Sequence, residues 1–341
     1  MKQFPTGQRH AVIAIGTPDQ PQCLEMTHDD TGILPRRSYE EKKRPSRWQR
    51  RLLGAVCVLA GVILLALAGL HWYHPRMLYR PETVPSSEAD YFARYPNLKV
   101  ELDSLTAPDG VKLCAYWFPS SKAGQPVLYF LYGSDGNMGY AVEHVHQSRK
   151  YADWNVLLLA YRGYGFSEGR PSMSGIQMDV ETGLNYLLTN MSFSRDKIIV
   201  YGHSFGGAAA LHLAAKRPAS FGTLIVESTF VSVREMASLL FPKWSWLSFL
   251  ITENWDNRAQ IDELIRRAAK GEQVPRILSV SVGHDQMLSQ MKVLEDRLRA
   301  MPSSTLVQRL YLPEAFHYGF LDPHYFKGLT RCIASDKPDC S

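Results

Sequence analysis

Cysteine is scarce in this chain, and its five copies, Cys23, Cys57, Cys114, Cys332 and Cys340, never form a C-x-x-C pair. That spacing excludes the usual zinc ribbons and thioredoxin-like redox sites. Cys332 and Cys340 are near enough in sequence to close a small disulfide clip in an oxidising compartment, and stay two thiols otherwise. A basic surface is also missing from the bulk of the chain. Of the formal net charge of +5, residues 1–51 hold ten Lys/Arg against six Asp/Glu, while the remainder holds 28 against 27. With no clustered excess in the folded part, nucleic acid is not an expected partner. Internal repeats and low-complexity tracts are absent, which argues against a repeat scaffold. What remains, 341 residues at 45% hydrophobic and 21% charged, suits one large globular domain or two modest ones.

The basic excess abuts the longest apolar run. Leu52 to Leu70, LLGAVCVLAGVILLALAGL, is 19 residues without a charge, close to the ~20 that cross a bilayer as a helix. Before it stand Arg36, Arg37, Lys42, Lys43, Arg44, Arg47, Arg50 and Arg51; after it come Trp72 and Tyr73, suited to an interface, with Arg76 and Arg80 the only nearby cations. This asymmetry predicts a single-pass type II signal anchor over 52–73, with the N-terminus cytosolic and the larger part lumenal or extracellular. A cleaved signal peptide would start nearer the terminus and have a shorter core. Residues 1–51 read as a basic, largely disordered cytosolic tail. Asn190-Met191-Ser192 is a glycosylation sequon that the predicted topology makes usable.

From residue 98 strand-like and helix-like segments alternate. LKVELDSL (98–105) and VKLCAYWFP (111–119) flank the turn signal Pro108-Asp109-Gly110 and predict an antiparallel hairpin. Short apolar runs at 127–133, 155–163, 197–202, 223–229, 277–283 and 308–313 predict buried strands. Helical patterns fall at 139–152, 173–190, 205–216 and 288–300. The alternation implies a mostly parallel sheet covered by helices on both faces, with ligands at the carboxyl ends of the strands. The stretch from about 230 to 276 departs from the pattern. Its FPKWSWLSFL (241–250) carries more large apolar residues than one core face needs, so it reads as a small helical cap offering substrate an apolar wall.

At the end of one predicted strand stands Gly202-His203-Ser204-Phe205-Gly206. A G-x-S-x-G pentapeptide is weak alone; between a strand and a helix it describes a turn so tight that only glycine fits two residues either side of the serine. Ser204 is thus the candidate nucleophile, with the following helix N-terminus favouring negative charge beside it. A serine needs a base, and the base an orienting acid. The expected chain order supplies Asp285 after the strand 277–283 and His317 after the strand 308–313. The rival bases are His324, then His284, His203 and His212; the rival acids are Glu227, Asp256 and Asp262. The backbone N–H groups of Phe205 and Ser134, the latter in Tyr132-Gly133-Ser134-Asp135-Gly136-Asn137, are the candidate oxyanion donors.

These residues resemble those of the α/β-hydrolase-fold serine hydrolases, over about residues 72–325. YRGYGFSEGRPS (161–172) and VEST (226–229) are similar in particular to the membrane-anchored branch that includes the bud-emergence-type and α/β-hydrolase domain-containing proteins. The resemblance implies an α/β-hydrolase domain over 74–341, a Ser204–Asp285–His317 triad, oxyanion donors at Phe205 and Ser134, and no metal or organic cofactor. The expected activity is cleavage of an ester, thioester or amide, with an acyl or lipid-like substrate favoured by the aromatic cap and the nearby membrane. Palmitoyl-protein thioesterase and prolyl-oligopeptidase-like peptidase activities are alternatives, and a pseudo-enzyme ectodomain that binds a partner is one of another class. The family usually has His-Gly and Asp-Glu where this chain has Tyr132-Gly133 and Asp285-Gln286.

Overall fold

The computed structural model describes residues 46–81, 92–135, 138–319, 322, 324–335 and 337–338, with the backbone of 13–15 and 22–24. In the N-terminal stretch, β1 (Ile13–Ile15) and β2 (Gln22–Leu24) pair antiparallel. The rest of the tail before Ser46 lies outside the described residues, and so does most of the stretch expected to be disordered. One 32-residue helix, α1 (Arg47–Leu78), contains the whole apolar run and is long and apolar enough to cross a membrane.

The larger part of the chain is built on eight strands: β3 (Glu101–Thr106), β4 (Lys112–Phe118), β5 (Val127–Leu131), β6 (Asn155–Leu159), β7 (Ile198–His203), β8 (Thr223–Glu227), β9 (Arg276–His284) and β10 (Val307–Phe316). They lie in the order β10-β9-β8-β7-β5-β6-β4-β3. β3 and β4 form the expected hairpin, β4 meets β6 antiparallel, and every other neighbour is parallel. β5, β7 and β8 are buried along their whole length, as continuous apolar runs in a sheet covered on both faces require.

Helices cross between them: α2 (Met138–Ser148), α3 (Met173–Asn185), α4 (Phe205–Lys216), α5 (Val233–Leu240), α6 (Asn257–Ala269), α7 (Leu288–Leu298) and α8 (Tyr325–Ile333). α4 is the central one. Every residue from Phe205 to Ala215 is buried, because its run of Gly and Ala lets the backbone lie close to β7 and β8. The stretch read as a cap divides in two. α5 and the 3₁₀ segment Pro242–Leu250 pack on each other, whereas α6 is a crossover helix packed on α4 through buried Ile261, Leu264 and Ala268. The cap aromatics Phe241, Trp244, Trp246 and Phe249 are half to two-thirds exposed. Cys332 is disulfide-bonded and buried; Cys340 lies outside the described residues. Cys57 and Cys114 are in no disulfide.

YRGYGFSEGRPS folds as a brace rather than as a ligand loop. Gly163, Gly165 and Gly169 take φ of +76°, +52° and +85°, which side-chain-bearing residues rarely adopt. Ser172 caps α3 by accepting from the Gly175 N–H. Arg162 grips fully buried Asp179 with its backbone N–H, Nε and Nη2 at 2.8–3.2 Å, and Asp109 of the hairpin turn with Nη1 at 2.6 Å. Burial alone would raise the Asp179 pKa far more; the guanidinium moderates but does not reverse that rise. Replacing Arg162 with methionine leaves this carboxylate buried and unpaired. The variant is expected to lose about 3–5 kcal/mol of stability, read as a lowered Tm or urea midpoint.

Candidate active site

β7 ends at His203 and α4 begins at Phe205, so Ser204 alone makes the turn between them, at φ +54° and ψ −119°. That is strained backbone for a serine. The strain is held from both sides: the Ser204 N–H donates to Glu227 O at 2.9 Å, and Thr229 Oγ1 donates to Ser204 O at 2.7 Å. The serine hydroxyl does not cap the helix it precedes. The flanking glycines are there because nothing else fits. A Cβ on Gly202 would lie 2.6 Å from the Gly206 carbonyl carbon, and one on Gly206 would lie 2.7 Å from Tyr132 O and closer still to Leu131 O. Backbone cannot step aside as a side chain can. Gly206→Ala is therefore expected to cost about 3 kcal/mol, the upper part of the range for overpacking. Its melting temperature and its reactivity toward serine-directed phosphonates should fall together, since the clash falls on the strand end that carries Ser134.

The two loops that carry Asp285 and His317 leave the sheet side by side. β10 pairs with β9 as far as Leu312↔Val282, shifts register, and pairs again at Phe316↔His284. The shift is made where Gly283 packs against the Pro313 carbonyl with no room for a Cβ. One residue beyond that last pair, His317 Nδ1 donates to Asp285 Oδ1 at 2.9 Å, and the Met287 N–H donates to the same oxygen at 2.9 Å. Burial alone would raise the Asp285 pKa, but the His317 hydrogen bond, the Met287 N–H and the His317 charge outweigh it, with a contribution from the Ser228 hydroxyl. The carboxyl sits below its ordinary value. For His317 burial acts to lower the pKa; the hydrogen bond and charge of Asp285, with the more distant Glu227 and Asp135, raise it above the usual imidazole value. A base must be neutral to accept a proton. Activity that depends on His317 should thus rise with pH through a midpoint above ~6.5, measured as kcat/KM against pH.

His203, one of the rival bases, instead links these loops to the elbow, a role that residue type alone does not signal. Its ring lies 4.9 Å from that of His317, and its Nε2–H donates to His317 O at 2.9 Å. Burial lowers its pKa and keeps it neutral, which suits a ring that donates to a carbonyl. Tyr318 also stacks on His203, at 5.3 Å, and donates to Asp135. The signal was available in the pentapeptide: a histidine between the strand end and the serine must lie beside whatever approaches the serine.

The loop after β5 comes to the same end of the sheet. A Cβ on Gly133 would lie 3.6 Å from Ser204 Cβ, so the backbone of this loop runs beside the serine. Phe205 is the first residue of α4, where N–H groups have no intrahelical acceptor. Two tyrosines of the brace hold this loop: Tyr161 OH donates to Tyr132 O at 3.1 Å and Tyr164 OH to Ser134 O at 3.0 Å. The Arg80 N–H donates to Ser134 O as well, at 3.0 Å. Tyr132, where the resembled family has histidine, is buried and stacks on Tyr161 at 4.7 Å, its hydroxyl accepting from the Tyr161 N–H at 3.3 Å. Its ring is spent on packing.

The rivals have other work. Glu227 is fully buried beneath the elbow, where Tyr201 OH and Tyr325 OH both donate to Oε2. His212 pairs with Glu181 at 3.0 Å, His284 stacks on Phe316, and His324 is exposed at the start of α8. Asp256 caps α6 and Asp262 pairs with Arg297. No group of three or more His, Cys, Asp or Glu side chains is arranged to hold a metal ion among the described residues.

Strand order, antiparallel first strands and a strained serine at the end of the central strand define an α/β-hydrolase fold. Residues 140–274 match the family model described as serine aminopeptidase, S33. Protein bem46 of Schizosaccharomyces pombe is 33% identical over 208 residues, covering 60% of this chain and 69% of that protein. An uncharacterised membrane protein of Saccharomyces cerevisiae is 29% identical over 199 residues, covering 58% and 70%. Among solved structures, an α/β-hydrolase from Vibrio vulnificus superposes with a TM-score of 0.62 at 17% identity, covering 78% of this chain and 92% of that one. The chain belongs to the Bem46-type family of α/β-hydrolases.

Proposed function

We propose that this protein is a membrane-anchored serine hydrolase of type II orientation, cleaving an ester, thioester or amide with an acyl or lipid-like substrate preferred. Ser204 Oγ attacks the carbonyl carbon while its proton passes to His317 Nε2, the nitrogen left over when Nδ1–H is committed to Asp285. The tetrahedral oxyanion takes hydrogen bonds from the Phe205 and Ser134 N–H groups. Collapse expels the alcohol, thiol or amine with the proton from His317; water then repeats the sequence on the acyl-enzyme and frees the acid. Asp285 keeps the imidazole in the donating tautomer and offsets its charge.

The observations that support this reading are the strained Ser204 turn, the Gly133 loop beside it, and the bonded Asp285–His317 pair tied to the neighbouring His203. The test is turnover by the full chain in detergent micelles, with acyl esters, acyl thioesters and aminoacyl amides of graded size. Amides belong in the panel because the matched family model is one of aminopeptidases. Hydrolysis that favours longer acyl chains and is abolished in Ser204→Ala supports the proposal. No turnover across the panel, or turnover that survives the substitution, overturns it.

A further inference from the structure

The cap presents large apolar side chains that the core does not bury. Leu239, Leu240, Phe241, Trp244, Trp246 and Phe249 are each between 50% and 64% exposed, although they come from just two short segments packed on each other. A concentration of large apolar side chains in water marks a contact surface. What it contacts is indicated by what the cap is fastened to.

At 1.5 Å per residue the apolar run 52–70 covers about 28 Å of helix, close to the ~30 Å hydrocarbon core. The last two turns of α1, residues 71–78, therefore emerge at headgroup level, where Trp72 and Tyr73 are exposed. Those turns hold the end of the cap. His71 Nδ1 lies 3.1 Å from Leu250 O. His74, buried, donates from Nδ1 to His71 O at 2.7 Å and accepts at Nε2 from the N–H groups of Thr252 and Glu253, at 3.2 and 3.3 Å. Tyr79 OH adds a bond to Glu253 at 2.6 Å. A segment fixed to the emerging end of a spanning helix lies at the same depth as that end. Its two exposed tryptophans, with exposed Lys243 just before them, are the residue types that settle at a bilayer interface, where a lysine can reach phosphate.

We propose that this cap face is a second membrane contact, immersed in the headgroup–acyl boundary of the leaflet from which α1 emerges, so that the active site opens beside lipid. Continuity with the site is short. The Tyr79 ring meets Phe205 edge-on at 5.6 Å, and the next residue, Arg80, bonds Ser134 O. An acyl chain leaving the leaflet along the cap would reach the serine without crossing bulk water. The proposal rests on the reading that α1 spans the membrane.

The test uses the full chain in phosphatidylcholine nanodiscs made with and without bromine along one acyl chain, comparing wild type with Trp244→Tyr/Trp246→Tyr. Interfacial segments bury their apolar face roughly 5–10 Å, within reach of the bromines, so the emission lost in the variant should be quenched at least about twofold in wild type. Trp48 and Trp72 at the ends of α1 remain in the variant and report on the helix. If they are quenched while the Trp244/Trp246 share is not, the cap proposal is wrong and the anchor stands. If nothing is quenched in either protein, the anchor reading fails and this proposal with it.

Discussion

Replacing Ser204 with alanine is expected to lower kcat by about 10⁵- to 10⁶-fold while leaving the fold intact. The magnitude follows from how a triad works: serine and histidine act as one unit, so losing either removes nearly all of their joint contribution. His317→Ala should therefore match Ser204→Ala, and the double variant should be scarcely worse than either. Stability should change little in Ser204→Ala, since the serine hydroxyl caps nothing and the turn is held by backbone atoms of Ser204, Glu227 and the Thr229 hydroxyl. Far-ultraviolet circular dichroism and melting temperature, read beside kcat, separate loss of chemistry from loss of structure. Additive losses in the double variant would mean that the two residues act independently, and the mechanism above would be wrong.

Asp285 gives the second large effect, and its local geometry makes the outcome depend on the replacement. Asp285→Ala removes the acceptor of the His317 Nδ1–H and the offsetting charge together, and should cost about 10⁴-fold in kcat. Asp285→Asn should cost less. The Met287 N–H can only donate, and it shares Oδ1 with His317, so the amide oxygen is drawn to that position and the correct imidazole tautomer survives. Only the charge is lost. The pH profile should report the same division: without the carboxylate His317 loses the interaction that raises its pKa, so the midpoint of kcat/KM moves down in both variants. If the asparagine variant is as poor as the alanine variant, the amide has turned its nitrogen to His317 and the Met287 contact does not control it.

The central sheet was legible because buried parallel strands read as continuous apolar runs. β5, β7 and β8 each begin within a residue of their expected start. The elbow was legible because steric exclusion leaves a sequence trace at Gly202 and Gly206. β10 proved longer than its apolar run suggested, since the register shift across 313–315 lets pairing resume at Phe316. The cap was harder. Apolar residues at 241–250 signal burial against something, but residue type does not name the partner, and these side chains are half to two-thirds exposed. His203 and the brace tyrosines were missed for a related reason. Their hydrogen bonds run to backbone carbonyls of distant loops, at His317, Tyr132 and Ser134, and such partners leave no pattern in residue type. Arg162 shows the converse: a motif residue of suggestive chemistry is committed to a buried carboxylate and a hairpin turn.

The measurement that bears most directly on the central claim is the mass of the full chain after reaction with a fluorophosphonate, followed by peptide mapping. One phosphonyl adduct on the peptide holding Gly202–Gly206, located on Ser204 and slowed in His317→Ala, is the predicted result. A folded protein that takes up no adduct, or takes it up on another residue, would contradict the assignment of Ser204 as an activated nucleophile.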